Sequence, residues 1–278
     1  MTNRSSPAAV LAAASAAAQE PLQPLTLGAW QSNQVAAGTH VVAYLGTDDR
    51  SRQRIRVEHS RLLWAAAAGV PVPRVYELAP DARWLLVERA PDDQRYGEDY
   101  VHAAFAAAAT IAAAGPPPAE AGEPRARRAR RSDLPVRAIR AALSPLRFAE
   151  FRSLRAEVAD LDAGTTSHGD FHIGNVLSSG GRAVTIVDFE FLGDGHPALD
   201  LMSLWVDLEE SGDRALLLEL ACAELPVARS EILLVGHWLA VRHLAELVTG
   251  VSLRQRDQPE VRIAVARIEE IRDLRGLG

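Results

Sequence analysis

The chain has 278 residues, of which 48% are hydrophobic and 24% are charged, a balance typical of a globular protein with a sizeable core. Its net charge of -6 at pH 7 argues against a nucleic-acid-binding protein, which would usually carry a basic surface. No apolar run approaches the roughly 20 residues of a membrane-spanning helix, and the only cysteine, Cys222, cannot form an intramolecular disulfide. We therefore expect a cytoplasmic protein with no nucleic-acid or membrane partner.

The first ninety residues are predicted to form a small sheet with helices beside it. The alanine-rich segment 7–18 has too few strongly apolar residues for an export signal and is interpreted as an amphipathic helix. Apolar residues near one face indicate a second helix over 52–68, which the segment 69–73 ends because proline is disfavoured inside a helix. Short apolar and β-branched runs bounded by turn residues indicate strands, at 25–29, 40–45, 74–78 and 84–88.

The rest of the chain is predicted to be mostly helical. Helical patterns cover 99–114, 134–161 and most of 197–275. Between the first two, residues 115–133 begin with Gly-Pro-Pro-Pro and are rich in arginine, which indicates a mobile insertion, either a lid over the substrate or a solvated loop. The order of elements predicts an α+β fold with a small N-terminal lobe over 1–90 and a C-terminal helical lobe over 91–278.

The strongest functional pattern is His-Gly-Asp-Phe-His-Ile-Gly-Asn at 168–175. Asp170 and Asn175 are five positions apart, which is the spacing of the Asp-x-x-x-x-Asn catalytic loop of kinases. In that loop the aspartate orients the acceptor hydroxyl and takes its proton, and the asparagine oxygen ligates a metal that screens the phosphates. The apolar run 183–187 then ends at Asp188, where kinases place a second metal ligand. Together these motifs predict phosphoryl transfer.

With the Gly-Asp-Gly-His-Pro-Ala-Leu-Asp-Leu segment at 193–201, these motifs resemble the signature of the aminoglycoside phosphotransferase/choline kinase family. The resemblance implies a protein-kinase-like fold, with a small β-sheet lobe followed by a larger, mostly helical lobe. It also implies an enzyme that uses ATP, or another nucleoside triphosphate, and Mg²⁺ to phosphorylate a hydroxyl of a small molecule. By position, Asp170 becomes the catalytic base, and Asn175 and Asp188 become the magnesium ligands.

The same resemblance gives neighbouring residues supporting roles. His168 and Asp200 correspond to structural braces of the catalytic loop. Glu190 is left open between a contact to metal or substrate and a brace of its loop. His172 and His196 lack metal-ligand spacing and therefore predict no zinc site.

The resemblance makes the lobe over 1–90 the nucleotide-binding lobe, and this lobe departs from the family pattern. All 30 basic residues are arginine, so the lysine that the family carries on its third strand, near Ala43 here, has no counterpart. Glu58 matches the helix glutamate that pairs with this lysine, and Glu88 lies in a segment that resembles the hinge strand. Ser32 and Asn33 either donate to the nucleotide phosphates or form an ordinary polar turn.

The missing lysine leads to an expectation about strand register. Alternation along 41–45 places Ala43 on one face, and we expect that face to be the cleft, so that a lysine at this position would be tolerated. An arginine within 50–56 is the alternative source of the positive charge.

Two functions remain open from the sequence. The three catalytic residues favour an active small-molecule kinase acting on an antibiotic or related metabolite, and the missing lysine favours a pseudokinase that binds a ligand without phosphoryl transfer. The short segment after Asp188 argues against a protein-substrate kinase. Acidic residues within 207–213 either receive a cationic substrate or form a solvated helix end. The oligomeric state is not specified.

Overall fold

The computed structural model describes residues 6–25, 34–117, 139–140, 143–162, 164–250 and 259–277. The candidate phosphate-loop residues Ser32 and Asn33 lie outside these ranges, as do most of the predicted strand 25–29 and most of the predicted insertion 115–133.

A five-stranded antiparallel sheet forms the N-terminal part, with the strand order β1-β2-β3-β5-β4. The predicted strands at 40–45, 74–78 and 84–88 are confirmed. The observed bounds are β1 (Gln23–Pro24), β2 (Gln34–Ala37), β3 (Val41–Leu45), β4 (Val75–Leu78) and β5 (Trp84–Glu88).

Two helices pack on this sheet, α1 (Pro7–Ala18) and α2 (Asp49–Ala67), as predicted. Helix α2 begins three residues before the predicted position because Asp48 and Ser51 form a capping box. The Asp48 carboxylate accepts from the Ser51 N–H at 2.7 Å, and the Ser51 hydroxyl accepts from the Asp48 N–H at 3.0 Å.

The two faces of β3 meet different parts of the protein. Ala43 is fully buried against Val10 and Ala14 of α1, in a small core of its own. Val42 and Tyr44 point the other way and pack against the main core, which includes residues of α2. The expectation that Ala43 faces the cleft is therefore wrong, because α1 covers that side of the sheet.

The remaining described residues form the larger, mostly helical part. Its elements are α3 (Glu98–Ala113), α4 (Pro145–Ala159), β6 (Thr165–Ser167), β7 (Val176–Ser179), β8 (Ala183–Ile186), β9 (Gly193–Gly195), α5 (Leu199–Asp207), α6 (Ser211–Glu224), α7 (Arg229–Gly250) and α8 (Pro259–Leu274). Two antiparallel pairs, β6 with β9 and β7 with β8, hold the loops between them. The 168–175 motif lies between β6 and β7, and Asp188 lies between β8 and β9.

Helix α7 is long and apolar enough to meet the criteria for a membrane span over Arg229–Thr249, but 72% of that window is buried inside the fold. Within the described part of the chain no other helix meets these criteria. Helix α7 packs against α4, α5 and α8, so its apolar surface belongs to the core of the helical part.

Candidate active site

Asp200, in the first turn of α5, fixes the start of the 168–175 loop. Its two carboxylate oxygens accept hydrogen bonds from the Ser167 hydroxyl at 2.8 Å, the His168 N–H at 2.7 Å and the Gly169 N–H at 3.0 Å. Asp200 is buried, and three donors offset the cost of removing its charge from water.

His168 joins this loop to the loop that carries Asp188. The fully buried ring contacts the Val187 carbonyl through Nε2 at 3.1 Å and packs edge-on against Phe189, with 4.8 Å between ring centroids. Burial lowers the pKa of His168, which keeps the ring neutral near pH 7. The ring is therefore built into the packing between the two loops.

Gly169 allows the two loops to approach closely. Its φ of +80° lies in the left-handed region, and a Cβ at this position would be 2.5 Å from the Phe191 carbonyl oxygen. Any larger residue would push the loops apart, so glycine is required on two grounds.

Asp170 and Asn175 are held against each other within the loop. The Asn175 Nδ2 atom donates to the Asp170 carbonyl at 3.0 Å and to the Asp170 carboxylate at 3.2 Å. Because the amide nitrogen is turned toward Asp170, the Asn175 Oδ1 atom is the oxygen that a cation would meet.

His172 is a partner of Asp170 that sequence reasoning considered only for zinc. Its Nε2 atom lies 3.6 Å from the Asp170 carboxylate, and its Nδ1 atom lies 3.9 Å from the Asp207 carboxylate. Burial alone would raise the pKa of Asp170, but His172, together with His168 and Arg242, more than offsets the effect of burial, and the pKa lies below its usual range. The same pairing raises the pKa of His172 against the opposing effect of burial.

Asp188 lies two residues after the end of β8 and adopts φ 62° and ψ 69°, a left-handed conformation that is uncommon outside glycine. Burial raises the pKa of Asp188 to about 6, and the nearby charges of Glu190 and Asp170 add to the effect. The carboxyl groups of Asp188, Glu190 and Asp170 repel one another. Both this repulsion and the uncommon backbone conformation of Asp188 persist only where the surrounding structure enforces them.

The oxygen atoms of Asp188 and Asn175 suit a hard divalent cation such as Mg²⁺, which would also relieve the repulsion between the carboxyl groups. Among the described residues, no group of three or more His, Cys, Asp and Glu side chains is arranged to hold a metal ion alone. Mg²⁺ in phosphate sites typically takes one or two protein carboxylates and completes its coordination with phosphate oxygens and water. The residues therefore fit a cation that arrives with a nucleotide.

Helix α2 binds the backbone that follows Asp188. The Glu58 carboxylate accepts from the Phe189 N–H at 3.1 Å, and the Arg61 guanidinium donates to the Phe189 carbonyl at 2.9 Å and the Glu190 carbonyl at 2.7 Å. Burial raises the pKa of Glu58 to about 8, and the charge of Asp188 contributes. Arg61 was missed by sequence reasoning, although it lies on the same helix face as Glu58, three positions later.

The other candidate residues of the N-terminal part, Glu88 and the arginines within 50–56, make their contacts near β4 and β5. Glu88 ends β5, and its carboxylate accepts from the Arg74 N–H at 3.3 Å. Of the arginines within 50–56, Arg56 donates to the Asp81 carbonyl at 3.5 Å, and the positive charge of Arg52 helps to lower the pKa of Asp81. Both contacts lie at the β4–β5 turn.

A cavity of about 260 Å³ opens beside Asp170, between the catalytic loop, α5 and α7. Of the acidic residues in 207–213, Asp207 alone is among the described residues that line it. Arg242 also lines it, with Nε 2.7 Å from the Glu246 carboxylate and its guanidinium 5.7 Å from the ring centre of Trp238. The lining residues with charged or titratable side chains are Asp170, His172, Asp200, Asp207, Arg242, His243 and Glu246.

Several solved structures of small-molecule kinases share this fold. A microcompartment-associated aminopropanol kinase is 18% identical, with a TM-score of 0.64 over 92% of this chain and 93% of its own. An amicoumacin kinase in complex with AMP-PNP, Ca²⁺ and Ami is 16% identical, with a TM-score of 0.59 over 91% and 88%. A choline kinase from Streptococcus pneumoniae is 16% identical, with a TM-score of 0.56 over 97% and 98%. At these identities the likeness defines the fold, which is kinase-like as predicted.

The sequence itself matches a family model, that of the phosphotransferase enzyme family, over residues 24–233. The match covers most of the chain and includes both loops of the site, so the protein belongs to this family. The suspected relationship to aminoglycoside phosphotransferases and choline kinases is confirmed. A comparison with curated proteins gives no match.

Proposed function

We propose that the protein transfers a phosphoryl group from ATP, in the presence of Mg²⁺, to a hydroxyl of a small molecule bound in the cavity beside Asp170. The observation that carries the proposal is the position of the Asp170 carboxylate. It lines the cavity, accepts a hydrogen bond from Asn175, and helps through its charge to raise the pKa of Asp188. A hydroxyl in the cavity would thus lie beside a base that is hydrogen-bonded to one proposed ligand of the cation and interacts with the charge of the other.

The protonation states support this division of work. The lowered pKa of Asp170 keeps it ionised near neutral pH, so its carboxylate can orient an acceptor hydroxyl and take the proton. The His172 Nε2 atom lies 3.6 Å from the same carboxylate oxygen that accepts from Asn175, and helps to hold that carboxylate in place. Asn175 and Asp188 would hold Mg²⁺, which supplies positive charge to the phosphates when bound.

The acceptor that fits the cavity best is compact and carries an amino group. A volume of about 260 Å³ is just below the usual range of ligand pockets, about 300 to 1,000 Å³. The Asp207 and Glu246 carboxylates offer partners for a cation beside Asp170. We propose an antibiotic or related metabolite that presents an amine together with the hydroxyl. The likeness to aminopropanol and choline kinases supports this chemistry.

A second candidate is a pseudokinase. It is favoured by the chemistry around Glu58, which is buried with a pKa raised to about 8 and has no lysine anywhere in the chain to pair with. Such a protein would bind its ligand without transferring phosphate. For either function we propose a cytoplasmic location, which suits the single cysteine.

The test is a panel of hydroxylated acceptors offered with Mg²⁺ and either ATP or GTP, with mass spectrometry of the products. The panel spans amino alcohols, aminoglycosides, nucleosides, macrolides and peptide antibiotics. We expect a phosphorylated product from at least one amine-bearing acceptor, and no product after chelation of Mg²⁺. ATP binding measured by thermal shift, without transfer to any acceptor, would instead support the pseudokinase. Absence of both would reject both functions.

A further inference from the structure

Tyr44 points to the side of the sheet where the family pattern requires a lysine. It alternates with Ala43, whose side chain is sealed under α1, and it pairs with Leu85 of β5. Tyr44 is partly buried and packs against the same core as Ile55 and Leu62 of α2. Glu58 lies between these two residues on the helix, at positions i+3 and i−4, and therefore on the same face.

The electrostatics agree with this geometry. Burial raises the pKa of the Tyr44 hydroxyl well above its usual range, and the negative charges of Glu58 and Asp188 raise it further. The hydroxyl is therefore a neutral hydrogen-bond donor that faces the same acidic cluster as the proposed cation.

In this structure Glu58 binds a backbone N–H, whereas in the family pattern its partner is the strand lysine. Its carboxylate accepts from the Phe189 N–H, and the cation that acts on it is Arg61, which is itself bonded to the carbonyls of Phe189 and Glu190. Helix α2 thus holds the backbone after Asp188 directly.

We propose that Tyr44 takes the place of the missing lysine and donates its hydroxyl hydrogen to a phosphate oxygen of the bound nucleotide. The inference rests on the proposed function. Tyrosine has a reach similar to that of lysine but brings no charge, so in this proposal the divalent cation supplies the positive charge that the tyrosine lacks. Tyr44 is a nucleotide-binding residue in this account, and Glu58 and Arg61 are positioning residues for the Asp188 loop.

The test is calorimetry of Mg·ATP and of adenosine with the Tyr44→Phe and Tyr44→Lys variants. Loss of a hydrogen bond to a charged phosphate predicts about tenfold weaker binding of Mg·ATP to Tyr44→Phe, with adenosine unchanged. Tyr44→Lys should bind Mg·ATP at least as tightly as the wild type. Tyr76→Phe is the matched control, since Tyr76 is 48% exposed on β4 and should leave both affinities unchanged. Wild-type affinity of Tyr44→Phe for Mg·ATP would overturn the proposal.

A second measurement needs no nucleotide. If position 44 faces Glu58, a lysine there will pair with the carboxylate, and a thermodynamic cycle of Tyr44→Lys with Glu58→Gln will show coupling in the free energy of unfolding. Absence of coupling would overturn the placement of Tyr44. If the cycle shows coupling but the wild-type protein binds no Mg·ATP, both the phosphate contact and the proposed function are overturned. Coupling together with Mg·ATP binding that Tyr44→Phe leaves unchanged would overturn the phosphate contact alone.

Discussion

Asp170 and Asp188 are both half-buried carboxyl groups, yet the pKa of Asp170 is lowered and that of Asp188 is raised to about 6. The difference comes from their neighbours, because Asp170 faces His172 whereas Asp188 faces Glu190 and Asp170 itself. A base must be ionised before the acceptor arrives, whereas a metal ligand can lose its proton as the cation binds. Opposite shifts therefore suit the two proposed roles.

The raised pKa of Asp188 leads to a prediction for the Asp188→Asn variant. Wild-type affinity for Mg·ATP should rise as pH increases through about 6, because the carboxylate must be deprotonated to bind the cation. Asp188→Asn should weaken Mg·ATP binding tenfold or more, remove that pH dependence and leave adenosine binding nearly unchanged. Calorimetry with both ligands across this range checks the prediction. Equal losses for Mg·ATP and adenosine would indicate a structural role for Asp188 instead.

Glu58 predicts a pH dependence of stability in the ligand-free protein. Its pKa is 4.5 when unfolded and about 8 when folded, so the folded state holds the proton more tightly. The resulting stability is fully present below 4.5 and is lost as pH rises through about 8, by up to about 1.4 kcal/mol for each pH unit.

We therefore expect the free energy of unfolding of Glu58→Gln to fall less steeply than that of the wild type over this window. Denaturant titrations at several pH values measure it, with Glu77→Gln on the exposed side of β4 as the control. Identical slopes for wild type and Glu58→Gln would show that Glu58 ionises normally.

At the scale of elements, the register of β3 decides which substitutions the small lobe accepts. Ala43 is 0% exposed and belongs to the core under α1, so a lysine there would bury an unpaired charge. Ala43→Lys should lower the free energy of unfolding by about 3–5 kcal/mol. Ala66→Lys, on the exposed side of α2, should change it by no more than about 0.5 kcal/mol. Thermal denaturation of both variants checks the prediction, and a stable Ala43→Lys protein would contradict this register.

The elements that the sequence predicted correctly have strong local signals. Strands 84–88 and 40–45 are apolar and β-branched, and α2 has both a periodic face and a proline-containing stop. The short strands β6, β7 and β9 were not predicted, because three- and four-residue strands lack a measurable alternation and form only by pairing across the fold.

The candidate site likewise contains residues with a local sequence signal and residues whose contacts depend on the fold. Asp170, Asn175 and Asp188 could be proposed from spacing, since their motif is local in sequence. Tyr44 and Arg61 could not, because the case for them depends on which face of β3 is covered by α1 and on contacts more than 120 positions apart in the chain. Local patterns identified the face-to-face alternation of β3 but carried no information on which face is the cleft.

At the scale of the whole molecule, buried arginines tie the cavity wall to the helical core. Arg214 and Arg267 both donate to the Leu208 carbonyl, at 3.0 and 2.8 Å, and so cap the end of α5 that carries Asp207. Arg214 also pairs with Glu270 of α8 at 2.9 Å. The position of Asp207 in the cavity therefore depends on α6 and α8, which lie outside the catalytic motif.

The central claim is that the whole fold positions Asp170 as the base for phosphoryl transfer. The direct measurement is ³¹P NMR of product formation from Mg·ATP and an acceptor that the wild type phosphorylates in the panel. The wild type, Asp170→Asn and Asp213→Asn are compared. Asp213 is the matched control, since it lies in the first turn of α6 and does not line the cavity. We predict that Asp170→Asn loses at least about 100-fold in kcat while its Kd for Mg·ATP and its melting temperature stay near wild type, and that Asp213→Asn remains active. Near-native turnover by Asp170→Asn would contradict the account.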